Sequence, residues 1–182
     1  PGMTTSAGAM QVVSGLLELD VPLILDADAL NCLAKIAIDG IDSNPEMYRR
    51  EQPLVMTPHY RELSRLVAGD EVNDLGTAIA AAQKVVWAAG SDNLVVIAKG
   101  PTTAICGVER VLLPLSGPAS LATAGSGDVL AGILAGTLAT MRDEMDRWEL
   151  LYSYAVALHS YAGFAAATEY GEKSVIATDL ID

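Results

Sequence analysis

Short apolar runs spaced along the chain restrict it to one broad architecture. Pro22-Leu23-Ile24-Leu25, Pro53-Leu54-Val55-Met56 and Leu94-Val95-Val96-Ile97-Ala98 are apolar from end to end. A strand with one wet face would alternate polar and apolar residues, so unbroken runs of this length need cover on both faces. Helix-like stretches lie around them, at residues 7–19, 29–38, 57–67 and 75–89, and beyond the Gly117-Pro118 break at 126–140 and 147–168. Residues 103–106 and 110–113 flank Gly107 and predict a hairpin. Residues 40–50 are polar around Asn44-Pro45 and predict a loop. Buried strands alternating with helices imply an α/β fold of three layers, a mostly parallel sheet with helices on both faces. Ligands of such sheets gather at the carboxyl ends of the strands.

At 182 residues the chain has the length of one domain, and residues 1–182 are read as one. Apolar residues make up 51%, enough for a sizeable core, while aromatics are only 5%. Ala, Val, Leu and Ile must therefore fill that core. The formal charge is −12, from 23 acidic and 11 basic residues. Nucleic acid and anionic membranes are excluded as partners, because no basic stripe exists to displace counterions. A small phosphorylated ligand stays open, since backbone N–H groups at a helix N-terminus hold phosphate with few cationic side chains. Cys32 and Cys106 stand apart without metal-ligand spacing and read as buried thiols. No run reaches the roughly 18 apolar residues of a membrane span, and the expected compartment is the cytoplasm. The chain opens at Pro1-Gly2 and closes on Ala177-Thr178-Asp179-Leu180-Ile181-Asp182, a helix cap with almost no helix after it. Both ends predict a piece cut from a longer chain, incomplete at its N-terminus.

Four segments could carry chemistry. In Ala122-Thr123-Ala124-Gly125-Ser126-Gly127-Asp128-Val129-Leu130-Ala131-Gly132, small residues let a ligand approach the backbone at the start of a helix. Its free N–H groups would form an anion hole, with Asp128 placed for a general-base role. The plain alternative is an ordinary turn in which Asp128 caps the helix. The Walker A lysine pattern is missing, so this is not a P-loop. In Lys99-Gly100-Pro101-Thr102-Thr103, a lysine leaving a buried strand could reach a phosphate with Thr hydroxyls beside it, or could simply be solvated. In Thr57-Pro58-His59 with Glu62, Thr57 could cap the next helix and His59 could meet a ligand. Asp26-Ala27-Asp28-Ala29-Leu30-Asn31 offers carboxylates for a Mg²⁺-nucleotide, or a helix cap at Asp28. The metal ligands stay unassigned. His159, inside an apolar helix, reads as core packing.

These four segments, in this order, resemble the carbohydrate-kinase-like domain of the NAD(P)H-hydrate dehydratases, in the ribokinase-like superfamily. The GSGD at 125–128 alone indicates the superfamily, and DADALN at 26–31 with TPH at 57–59 narrows it to the dehydratases. The resemblance covers nearly the whole chain and implies a ribokinase-like fold. It also implies dehydration of the S epimer of hydrated NADH or NADPH with ADP or ATP and Mg²⁺, supplied by an epimerase, fused or separate, and a homo-oligomeric assembly. By the same resemblance Lys99, Gly100, Pro101, Thr102, Thr103, Gly125, Ser126 and Gly127 would bind the nucleotide. Gly2, His59 and Asp128 would face the hydrate, Asp128 as the catalytic base. Two positions depart from the family pattern: Tyr60-Arg61 stands where a Gly usually precedes the Glu, and Gly117-Pro118-Ala119-Ser120 replaces Asn-Pro-Gly-Met. The chain also lacks the strands and helices that precede the family's Gly-Pro-Gly segment, which leaves activity of this piece alone in doubt. Two rivals use the same residues: a small-molecule kinase that phosphorylates a hydroxymethyl group or sugar, and a nucleotide-binding module without catalysis.

Overall fold

The computed structural model describes residues 2–37, 45–140 and 148–181. The chain forms two compact units, Pro1–Gly100 with Ala104–Val111, and Pro101–Thr103 with Leu112–Asp182.

In the first unit, helix α1 (Ala7–Leu17) begins where Ser6 Oγ accepts the Ala9 N–H. Then follow β1 (Leu23–Leu25), α2 (Asp28–Ile36), a 3-10 turn (Pro45–Tyr48), β2 (Leu54–Met56), α3 (Tyr60–Leu66), α4 (Leu75–Ala89), β3 (Leu94–Ala98) and β4 (Ala104–Cys106). A short β5 (Val111–Leu112) closes the sheet at the boundary of the unit. Strand order follows chain order, β1-β2-β3-β4-β5. The pairs β1–β2 and β2–β3 are parallel, registering Leu23 with Leu54 and Leu54 with Leu94, and β3–β4 is antiparallel. The predicted hairpin is present: the Gly107 N–H donates to the Arg110 carbonyl. Of the predicted polar loop, 40–44 lies outside the described residues, as does residue 38, and Pro45–Tyr48 forms the 3-10 turn.

The runs of β2 and β3 are closed to solvent on both faces, as their lack of alternation requires, whereas in β1 Leu25 is buried and Leu23 and Ile24 are half-buried. Leu94, Val96 and Ala98 join Leu54, Met56, Ala104 and Cys106 in one cluster with residues of α1 to α4. Val55, Val95, Ile97 and Ile105 point the other way and are equally buried. Helix α4 matches its predicted bounds because both ends are marked: Asp74 Oδ1 accepts the Thr77 N–H at 2.7 Å, and Gly90 follows with φ 57°. The left-handed conformation at the end of a helix suits Gly best.

The second unit holds a 3-10 turn (Ala119–Leu121), α5 (Ser126–Thr140), α6 (Trp148–Tyr170) and a final 3-10 turn (Ala177–Leu180). Helices α5 and α6 pack on each other, and the last turn packs on both. Ala166, Val175 and Leu180 centre a small core with Leu121 and Val129. Gly163 of α6 has no room for a side chain: a Cβ there would lie 2.7 Å from Leu121 Cδ2 and 3.2 Å from Pro118 Cδ.

Candidate functional site

The parallel strands β1, β2 and β3 end at one edge, and they deliver Asp26, Thr57 and Lys99 there. Lys99 Nζ donates to Asp26 Oδ1 at 2.6 Å, with Asp26 5% and Lys99 21% exposed. Lys99 is therefore not the solvated strand-end lysine of the plain reading. Ala27, next to Asp26, takes φ 51° and ψ −117°, a conformation an L residue adopts only under constraint. Beyond that kink Asp28 does not cap α2. It is the first helical residue, and its Oδ2 accepts the Thr4 N–H at 2.9 Å. Lys35 Nζ reaches Thr5 Oγ1 at 2.6 Å, so α2 ties down the segment behind Gly2, which is exposed at φ +71°. An open groove of about 860 Å³ runs past Thr5, Asp28, Asn31, Lys35 and Arg65.

The TPH segment also differs from expectation. Thr57 is buried and still in strand register, its N–H donating to the Leu25 carbonyl at 3.1 Å, so it does not cap α3. His59 does. Its Nδ1 accepts the Glu62 N–H at 3.2 Å, and Glu62 Oε2 accepts the His59 N–H at 2.9 Å. This reciprocal pair satisfies two donors at the helix start. The imidazole stays about half exposed, while the Glu62 side chain is buried. A parallel bridge joins His59 to Lys99, and the Lys99 N–H donates to the Pro58 carbonyl at 2.8 Å. DADALN, TPH and Lys99-Gly100 thus meet on one strand edge. Tyr60 covers Gly100 so closely that a Cβ on Gly100 would collide with the phenol ring. Arg61 is exposed.

Among the described residues no three His, Cys, Asp or Glu side chains form a metal site. The Asp26 carboxylate accepts from Lys99 Nζ and the Asp28 carboxylate from the Thr4 N–H.

In the second unit Gly125 precedes α5 with φ +88°, and a Cβ there would also lie 3.0 Å from Ala177 Cβ. Its carbonyl accepts from the N–H groups of Asp128 and Val129 at 3.0 and 3.2 Å, and the Ser126 N–H donates to the Thr123 carbonyl at 3.3 Å. Among the described residues the Gly125 and Gly127 N–H groups meet no acceptor. A helix start leaves such donors orphaned, and Gly at the cap position brings no side-chain oxygen to take them. Asp128 is exposed in the first turn and accepts no backbone N–H there, so the capping alternative fails. The hydroxyls of half-buried Thr102 and Thr103 meet no partner among the described residues, and Pro101 is exposed. His159 of α6 is buried as expected, but it is more than packing. Its Nε2 lies 3.1 Å from Ser126 Oγ and 3.0 Å from the Ser126 carbonyl oxygen. Local sequence carries no sign of this contact, which spans 33 positions. The usable hint is that His159 and Gly163, four residues apart, share one face of α6.

The sequence model of the NAD(P)H-hydrate dehydratases matches residues 1–182. The chain belongs to this family. It is 38% identical over 190 residues to a bifunctional NAD(P)H-hydrate repair enzyme of Salinibacter ruber, covering all of this chain and 31% of that protein. It is 35% identical over 141 residues to the ADP-dependent (S)-NAD(P)H-hydrate dehydratase of Neisseria meningitidis, covering 76% of this chain and 45% of that one. The chain thus spans less than half of the length of these curated relatives. The ADP/ATP-dependent NAD(P)H-hydrate dehydratase of Bacillus subtilis, crystallised with ATP/Mg²⁺, superposes with a TM-score of 0.78 at 28% identity, over 99% of this chain and 60% of that one. Phosphofructokinase-2 of Escherichia coli, at TM-score 0.61 and 21% identity, shares the fold. The ribokinase-like α/β fold expected for the family is the fold found.

Proposed function

We propose that this chain dehydrates (S)-NAD(P)H-hydrate to NAD(P)H at the expense of ADP or ATP, as a nicotinamide-nucleotide repair enzyme. The observation that carries the reading into chemistry lies at the turn into α5. There two N–H groups that meet no acceptor among the described residues, on Gly125 and Gly127, stand beside Asp128, an exposed carboxylate that accepts no backbone N–H of that turn. The N–H groups and the positive end of the helix receive phosphate charge, where fixed donors lower the barrier without reorganising. Asp128 takes the proton of the substrate hydroxyl. The nucleotide supplies a phosphoryl group that turns this hydroxyl into a leaving group, and its departure with the adjacent ring proton restores the nicotinamide double bond. Magnesium, for which the described residues supply no three-ligand set, would arrive held largely by phosphates and water.

Of the remaining residues, Lys99, Gly100, Pro101, Thr102, Thr103 and Ser126 are assigned to the nucleotide, and Gly2 and His59 to the hydrate. A companion epimerase, fused or separate, belongs to the same proposal, and the relatives named bifunctional support a second activity beside the dehydration. Self-association is supported by the exposed stripe Leu150, Tyr154, Leu158 and Tyr161 along α6. No described helix is long and apolar enough to cross a membrane, and the cytoplasm is the proposed place of action.

The test is the recovery of NADH absorbance from its hydrate by the full-length protein with Mg²⁺ and ADP or ATP. Nucleotide-dependent recovery is expected, and Asp128→Asn should lower it by about 10²–10⁴-fold, the usual worth of a general base. A stable phosphorylated product without regenerated NADH would make the chain a kinase instead.

A further inference from the structure

We infer that His159 is a positioning residue that holds the first turn of α5 in its ligand-receiving geometry. The inference rests on the proposed nucleotide site at residues 125–128. His159 Nε2 lies within hydrogen-bond reach of both the carbonyl and the hydroxyl of Ser126, and both residues are buried. A carbonyl oxygen only accepts, so Nε2 carries the ring proton and donates it to the Ser126 carbonyl. The hydroxyl shares that proton as a second acceptor. This fixes the peptide that joins Ser126 to Gly127, whose N–H is one of the two groups left open for a ligand. It also keeps the Ser126 hydroxyl on the α6 side. A serine in the first turn of a helix is otherwise prone to turn its oxygen onto nearby backbone N–H groups, and those are the groups the anion needs.

His159 does not act alone on this segment. Ser160 Oγ donates to the Leu115 carbonyl at 3.0 Å, and the Gly163 carbonyl accepts from Ser120 Oγ at 3.5 Å. Gly163 also admits Leu121 at close range. One face of α6 thus fixes the segment from 115 to 126 at several points, and His159 is the last of them before the open N–H groups. Gly125 and Gly127 carry no side chains to stiffen the turn. Its shape has to be imposed from outside, and a donor on a packed helix does that with little freedom.

The experiment compares the full-length wild type with His159→Gln and His159→Leu. It measures ADP and ATP affinity by calorimetry in the presence of Mg²⁺, and kcat and KM for nucleotide and hydrate. Leu keeps the bulk and removes the donor, while Gln keeps an N–H donor of similar reach. His159→Leu is expected to weaken nucleotide affinity and kcat by about tenfold, less than losing a direct oxyanion donor, with the KM for hydrate changed less than about twofold. His159→Gln should return both to within about threefold of wild type, which a role in packing volume alone would not produce. If the Leu variant does not fold, the Gln variant decides: near-native affinity and kcat support the inference, and a folded Gln variant with both lost overturns it. A folded Leu variant with native affinity and kcat overturns it as well. Calorimetry keeps the two readings apart. A wild type that binds nucleotide and responds to His159→Leu, yet regenerates no NADH, would sink the dehydratase reading and leave His159 in its role.

Discussion

Lys99 and Asp26 hold each other at the end of the parallel strands, and their burial determines what either substitution does. Taking a carboxylate out of water is costly, and the bond to Lys99 Nζ offsets that cost only while both partners remain. Asp26 is almost fully buried, so Lys99→Met leaves a charge with no counter-charge. The loss should be about 3 kcal/mol in a urea titration. Asp26→Asn in the same molecule should recover most of it, because the buried charge is gone. The double variant also separates two roles of the lysine. If Lys99 meets nucleotide phosphate, the double variant regains stability while ATP affinity stays weak. If ATP affinity returns with stability, the lysine serves the strand edge alone.

At the scale of elements, the turn into α5 depends on Gly125. A left-handed φ costs an L residue about 1–2 kcal/mol, and the added Cβ would press on Ala177. Gly125→Ala should lower Tm by about 5 °C and weaken nucleotide affinity by about tenfold, since either way of relieving the strain moves the Gly127 N–H. Unchanged calorimetric affinity would remove this turn from the nucleotide site. Elements marked at both ends were legible in the sequence. The β3 run has no alternation, and α4 lies between a capping Asp74 and Gly90. Thr57-Pro58 has the composition of a cap, yet Thr57 continues the ladder to Leu25 and His59 caps α3. Of the two readings of Asp28, the helix cap is not found, because Thr4, 24 positions away, donates its N–H to that carboxylate. The motifs of the site could be located in the sequence because each sits at the end of a strand or at the turn into a helix. Their partners could not be, since Lys99 to Asp26 spans 73 positions and His159 to Ser126 spans 33. Contacts of that range are set by the packing of elements and leave no local pattern.

The chain carries −12, and among the described residues ion pairs such as Lys84 with Asp70 and Arg110 with Glu109 lie at the surface. Exposed pairs of this kind contribute little each, so they do not offset the mutual repulsion of an acidic surface. Net charge of one sign works against the compact state, and the repulsion acts over distances that salt shortens. Raising NaCl from about 10 mM to about 300 mM at neutral pH cuts the screening length from roughly 30 Å to below about 8 Å. The Tm should rise by a few degrees over that range. The direction distinguishes repulsion from attraction, because a fold held by its surface ion pairs would lose Tm as salt screens them. Near the isoelectric point of the sequence, about 4.4, the net repulsion is gone and the same addition of salt should leave Tm flat or lower it. A rise at neutral pH that persists unchanged near that point would instead mark specific ion binding, for which the open N–H groups of Gly125 and Gly127 are the first place to look. Replacing chloride with sulfate at equal ionic strength would then show which of the two is at work.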